Sequence, residues 1–184
     1  MNINDCDLPI QAVGAYVMTT AERAKDMKQK PVYVLGHSSN IPRVRSMLQT
    51  LEETEASAAS IAKKAYEGSG LTPRDLDIFN LYDGFTLFFQ YYLEAYGWHG
   101  VGKGEAHDFY AGDISIKGPH PVMSSGGNNG AGRTRYWHWT DSIQQLQGRA
   151  GARQVTIRAE TAAVGGPTPG PARGDYMIFS TSPD

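Results

Sequence analysis

Residues 85–96, FTLFFQYYLEAY, limit how this chain can fold more than any other stretch. The length and spacing predict a helix, yet only Thr86, Gln90 and Glu94 break a surface that is otherwise apolar or aromatic. A helix with so little polar face has to be buried between layers. At 184 residues the chain is long enough to bury a real core and is expected to form a single domain over residues 1–184.

The surrounding pattern supplies the layers. Residues 13–20 (VGAYVMTT) predict a buried strand only a dozen residues into the chain, an opening that would also suit the second half of something larger. A helix over 21–28, ended by Pro31, and a strand over 32–36 follow, then a loop around Pro42. Residues 51–67 predict an amphipathic helix with Leu51, Ala58, Ile61, Ala62, Ala65 and Tyr66 on one side, closed by Gly68 and Gly70. Thr72-Pro73 signals a one-turn helix, and 77–82 (DIFNLY) reads as a strand. Beyond a loop-rich stretch over 97–121 and a glycine-rich stretch over 121–132, a helix is expected over 134–147. Strands are expected over 154–159 and 176–180, with a turn at 167–171. Alternating strands and helices favour a layered α/β fold.

Composition removes several classes. Hydrophobic residues at 40% and charged residues at 20% are ordinary globular values and exclude wholesale disorder. The net charge of −2, with no basic block, argues against a nucleic-acid partner. A single cysteine, Cys6, excludes an internal disulfide framework, and no base stands near it in sequence to make it a nucleophile. With no long apolar run and acids at the N-terminus, the chain is expected to be soluble and cytoplasmic, with no membrane partner. His99, His107 and His120, with Glu105, Asp108 and Asp113, match no metal spacing, and no metal is expected.

Glycine meets reactive side chains in three places. In Leu81-Tyr82-Asp83-Gly84-Phe85 a strand ends and the apolar helix begins, a position where α/β proteins commonly hold ligands; the alternative is a capped turn in which Tyr82 simply packs. The run SSGGNNGAGRTRY is either a surface loop or a backbone wall close to a substrate, formed by Ser125, Gly126 and Gly127 with charge from Arg133 and Arg135. Val164-Gly165-Gly166 is the weakest of the three, since a glycine pair before proline usually marks a turn. His138 follows Tyr136 by two residues, so on a helix the two face different ways.

In this order, AVGAYVMTTAERAKD, LYDGFT, KGE, SSGGNNGAGR, SIQQLQGRAGARQV and AVGG resemble the C-terminal half of the thiolase superfamily, in particular the sterol-carrier-protein-x and lipid-transfer-protein branch. The resemblance implies an α/β thiolase-like C-terminal domain, a mixed sheet layered with helices on both faces, whose N-terminal half, bearer of the nucleophilic cysteine in true thiolases, is absent from this chain. True thiolases use a histidine in the loop after the glycine pair and a second cysteine in the last glycine motif. Here that loop offers Arg133, Arg135 and Tyr136, and the motif reads Ala162-Ala163-Val164-Gly165-Gly166.

The pattern is similar to the steroid side-chain-cleaving aldolases of this branch, which implies retro-aldol cleavage of a β-hydroxyacyl-CoA by tyrosine acid/base chemistry. Carried over by position, Tyr82 and Tyr136 are the catalytic candidates. Asp83, Ser125, Gly126, Gly127, Arg133 and Arg135 become substrate-binding candidates, with the arginines favouring a Tyr136 phenolate and the glycine N–H groups serving an enolate oxygen. The resemblance further implies an acyl-CoA substrate and no cofactor beyond that coenzyme A. It also implies a thiolase N-terminal half and an OB-fold protein as partners, with a homo-oligomer expected. The alternatives are an acetyl-CoA acyltransferase whose cysteine lies on another chain, and a non-catalytic half that binds lipid or acyl-CoA.

Overall fold

Four strands, β1 (Tyr33–Asn40), β2 (Ile78–Leu81), β3 (Thr161–Gly165) and β4 (Gly174–Ser180), form one mixed sheet in the order β1-β4-β3-β2. The computed structural model describes residues 2–40, 50–133, 136–165 and 174–184. β2 and β3 run parallel, with Ile78 opposite Ala162 and Leu81 opposite Gly165, whereas β4 is antiparallel to both of its neighbours.

Six helices accompany the sheet among the described residues: α1 (Ala21–Ala24), α2 (Leu51–Ser69), α3 (Thr86–Ala95), α4 (Ala106–Tyr110), α5 (Gly127–Ala131) and α6 (Tyr136–Leu146). Side chains alternate across the pleat, so β2, β3 and β4 each feed two cores. Phe79, Leu81, Ala163, Tyr176 and Ile178 join α2 and α3 on one face. Ile78, Ala162, Val164 and Phe179 join Leu146 of α6 and Val155 on the other. Helices therefore cover both faces, as the family resemblance implies.

The sequence explains each principal helix. α2 begins with a capping box, in which Thr50 Oγ1 accepts the Glu53 N–H at 3.2 Å and Glu53 Oε2 accepts the Thr50 N–H at 3.0 Å. It ends at Gly70, whose φ of 71° is open to glycine at no steric cost. α3 buries Phe89, Tyr92 and Leu93, and an aromatic stack continues beyond it. Phe79 stacks on Trp98 with centroids 4.6 Å apart, and Tyr96 meets Tyr176 at 4.7 Å. The helix is less enclosed than its composition predicts, because Leu87 on its first turn is 66% exposed.

Several expectations are corrected. Residues 13–20 form no strand: no described strand offers them a ladder, and Val13 and Met18 are 98% and 87% exposed. β-branched composition alone does not make a strand without a partner. The helix expected over 21–28 shortens to the single turn α1. Residues 154–159 are not a strand either. The Val155 N–H goes to Gln145 Oε1 and the Thr156 N–H to Ile116 O, which diverts this segment away from the sheet. The strand starts at Thr161, where Asp77 Oδ2 accepts the Glu160 and Thr161 N–H groups and the small residues Ala162 and Ala163 fit between the two cores. The loop around Pro42 and the turn at 167–171 lie outside the described residues.

Two glycines test this packing with opposite signs. A Cβ at Gly36 would overlap the Ala65 carbonyl oxygen of α2 and lie 3.1 Å from the Ser69 Cβ, whereas a Cβ at Gly68 meets nothing. Gly36→Ala is expected to lower stability by about 1–3 kcal/mol. Gly68→Ala, in a helical interior, is expected to raise it by about 0.5–1 kcal/mol. Urea unfolding of the two variants checks both signs.

Candidate functional site

The candidate site forms at the C-terminal end of β2. On one side of that strand Tyr82 N–H donates to Gly165 O at 2.9 Å. On the other, Phe79 N–H donates to Pro121 O at 3.2 Å and Met123 N–H to Phe79 O at 2.8 Å. These bonds bring the glycine-rich loop alongside the strand, so that Tyr82, Asp83 and Gly84 face Ser125, Gly126 and Gly127.

Asn80 anchors the loop from within the strand. Its side chain is fully buried, and Nδ2 reaches Ser142 Oγ at 2.9 Å, Ser124 Oγ at 3.2 Å and Asp141 Oδ2 at 3.3 Å. Asn80 Oδ1 accepts the Ser125 N–H at 3.3 Å, and Ser124 Oγ donates to Asp141 Oδ2 at 2.6 Å. Arg153 closes the network on Asp141 Oδ1 at 3.1 Å.

The chain reverses at Gly126 (φ 82°) and Gly127 (φ 64°), both left-handed. Only glycine fits at 127, because a Cβ there would overlap Asp83 Oδ2. The Asp83 carboxylate accepts the Asn128 N–H at 2.5 Å and the Asn129 N–H at 3.3 Å, tying the first motif to the second. Burial nevertheless holds the Asp83 carboxyl above the ordinary carboxylate range, since desolvation outweighs those donors. Asp83 and Gly126 line one side of a cleft of about 350 Å³, with Asn129 and Met123, opposite Phe89, Gln90 and Tyr110 of α3 and α4.

The remaining candidates stand apart from that cleft. Tyr82 is buried, with its hydroxyl folded over Gly84, where a Cβ would overlap it. Tyr136, the first residue of α6, lies against Gly14, and its carbonyl accepts the Tyr16 hydroxyl at 2.8 Å. Its own hydroxyl is buried with no partner among the described residues, so no hydrogen bond joins it to Tyr82.

Two expected contacts are not formed among the described residues. The Gly126 N–H is donated to Met123 O at 2.8 Å and the Gly127 N–H to Ser125 Oγ at 3.1 Å, so neither is free for an enolate oxygen. Arg133 does not serve Tyr136 either: Nε and Nη2 hold Asp7 Oδ1 at 2.8 and 2.6 Å, and the phenol sharing its electrostatic field is Tyr82. Arg135 lies outside the described residues. Cys6 pairs in a bridge with Phe85 at the edge of the site, but its Sγ contacts Asn2 O.

Sequence reasoning missed three participants. His138 Nδ1 sits 3.0 Å from Ser125 Oγ, and burial pushes this imidazole down to about 4. Only the tertiary meeting of α6 with the glycine loop reveals it. Asp7 had no local signal at all. Asn80 did carry one, as the single amide in the apolar run IFNL. His99 and His120 stack with ring centroids 3.9 Å apart, and no three metal-capable side chains gather among the described residues. No described helix is long and apolar enough to cross a membrane.

The lowered His138 value predicts a pH effect. Between the ordinary 6.5 and about 4 the unfolded chain binds a proton that the folded chain refuses, so stability falls as pH drops through that window. The loss from this group at about pH 4.5 is expected to be roughly 2 kcal/mol. His138→Gln should remove that part of the pH dependence, read as the difference between urea unfolding midpoints of the two proteins across the window.

The family described as thiolase C-terminal domain-like matches residues 39–173. The 17-hydroxy-3-oxo-4-pregnene-20-carboxyl-CoA lyase of Mycobacterium tuberculosis is 32% identical over 92% of this chain and 46% of its own length. The steroid side-chain-cleaving aldolase of Thermomonospora curvata is 29% identical over 71% of this chain and 34% of its own length. Among solved structures, an Ltp2-ChsH2(DUF35) aldolase superposes with a TM-score of 0.73 at 25% identity, covering 89% of this chain and 43% of that one. The chain thus spans less than half the length of each of these proteins.

Proposed function

The chain belongs to the thiolase C-terminal domain-like family, and on that premise we propose that it is one half of a carbon–carbon lyase that cleaves a β-hydroxyacyl-CoA, in particular a steroid side-chain thioester. The observation that carries this reading is the kind of proton carrier at the site. The titratable side chains at and around it include the Tyr82, Tyr110 and Tyr136 phenols and the Asp7 and Asp83 carboxyls. The last glycine motif carries no thiol, its Ala162, Ala163 and Val164 being committed to the buried strand β3. The imidazole of His138 is buried and held neutral behind Ser125. Acyl transfer by Claisen chemistry needs a thiolate and a matched acid/base pair, whereas retro-aldol cleavage needs only proton transfers. The names of the two curated relatives and the aldolase neighbour support the same reaction class.

In that reaction one phenol takes the proton of the β-hydroxyl as phenolate. The Cα–Cβ bond breaks, the oxygen left behind becomes a ketone, and the bonding pair passes to the thioester as an enolate. The second phenol then protonates the enolate carbon and releases a shortened acyl-CoA. No covalent intermediate with the protein forms, and coenzyme A enters only as part of the substrate. The cleft between Asp83 and α3 is the place for the acyl portion, its Phe89 and Tyr110 wall suiting an apolar group. The thiolase N-terminal half and an OB-fold protein complete the assembly in this reading, as a homo-oligomer acting in the cytoplasm.

The test uses the completed assembly and a tertiary β-hydroxyacyl-CoA. Release of a ketone and a shorter acyl-CoA is expected; thiolysis of a 3-oxoacyl-CoA instead would return the chain to the acyltransferases, and binding without turnover to the non-catalytic lipid binders. Tyr136→Phe is the sharpest variant, because it removes a hydroxyl that bonds to nothing described in the fold. Turnover is expected to fall by about 10²–10⁴-fold with the melting temperature unchanged or slightly raised. Unchanged cleavage by that variant would remove Tyr136 from the reaction.

A further inference from the structure

The N-terminal arm, residues 2–9, is stitched to both motif loops. Cys6 bridges Phe85, and the Asp7 N–H donates to Gly84 O at 3.1 Å. Two residues on, Pro9 bridges Arg133, whose N–H donates to Leu8 O at 2.8 Å. Between those stitches the Asp7 side chain is 0% exposed, while its partner Arg133 is 41% exposed. Arg133 holds only Oδ1; Oδ2 is buried and without a hydrogen-bond partner among the described residues. A buried carboxylate oxygen left bare is costly, and a fold keeps one where another group needs it.

The position of that oxygen shows which group. A Cβ built on Gly84 would lie 2.8 Å from Asp7 Oδ2 and would overlap the Tyr82 hydroxyl, so the two oxygens converge on the one point that glycine leaves open. Arg133 lies in the electrostatic field of Tyr82 as well as that of Asp7. Asp83, next along, feels the Asp7 charge.

We propose that Asp7 is a positioning residue of the active site, holding Arg133 through Oδ1 and presenting Oδ2 over Gly84 to the Tyr82 hydroxyl, so that the arm sets the geometry between the two motif loops. This rests on the lyase reading for its effect on turnover, but not for the geometry. The arm precedes residues 39–173, the span that the family model matches.

The experiment uses the completed assembly with 3-fluorotyrosine in place of Tyr82. Asp7→Asn and the charge-free double variant Asp7→Asn/Arg133→Gln are compared with the surface variant Lys63→Gln. The double variant leaves no unpaired charge behind and so guards against simple misfolding. In both arm variants the fluorine resonance is expected to move beyond the scatter set by Lys63→Gln. Turnover is expected to fall about 10- to 100-fold, as for a misplacement of about 1 Å, with KM held within about threefold. An unmoved resonance overturns the proposal, and so does a moved resonance with unchanged kcat. Should the unaltered assembly cleave no β-hydroxyacyl-CoA, the lyase reading fails, and the resonance by itself decides whether Asp7 positions Tyr82.

Discussion

The parallel pairing of β2 with β3, and the bracketing of Phe79 by the 121–123 segment, is the constraint on which the rest depends. Tyr82 N–H on Gly165 O ends that ladder on one side, and Met123 N–H on Phe79 O turns the glycine loop inward on the other. Because backbone donors and acceptors buried away from water have to be paired, these bonds leave the Tyr82 and Ser124 segments little freedom to separate. The juxtaposition of Asp83 with Gly127 is a consequence of that pairing.

Polar chemistry is then packed beneath the loop at high density. Asp7 and Asp141 are both fully buried carboxylates, each held by an arginine that stays partly exposed. Such pairs contribute little net stability, since desolvation offsets the attraction and the exposed partner is screened. Their use lies in register. Asp141 accepts Ser124 and Asn80 on Oδ2 and Arg153 on Oδ1 and so fixes the start of the glycine loop, whereas Asp7 and Arg133 secure its end. A loop anchored at both ends can place Gly126 and Gly127 in left-handed backbone and hold their N–H groups internally.

The apolar helix and residues 13–18 both leave apolar side chains exposed. α3 buries Phe89, Tyr92 and Leu93 against α2 and the sheet but leaves Leu87 to solvent. Residues 13–18 carry strand-like side chains and find no ladder. Both features fit a chain that spans less than half of its relatives, since each presents surface that further protein would cover.

The elements with strong local signals were legible without coordinates: α2 from its capping box and helical stripe, β2 from DIFNLY, and α6 to within two residues at its start. The two motif loops were legible as glycine beside ionisable side chains, a pattern that a capped turn or a surface loop also explains. Residues 13–20 and 154–159 misled because strand propensity describes a side chain that fits a pleated surface and says nothing of whether a neighbouring strand exists. By itself, then, the sequence determined the layered α/β class, the principal helices and the place of the two glycine motif loops, since capping, periodicity and glycine conformations are local matters. Only the tertiary structure decided that Asp7 meets Arg133 across 126 residues, that His138 closes on Ser125, and that the glycine N–H groups are already taken. Long-range pairing of polar groups is governed by which buried atoms would otherwise go unsatisfied, and that becomes known only once the chain has closed around them.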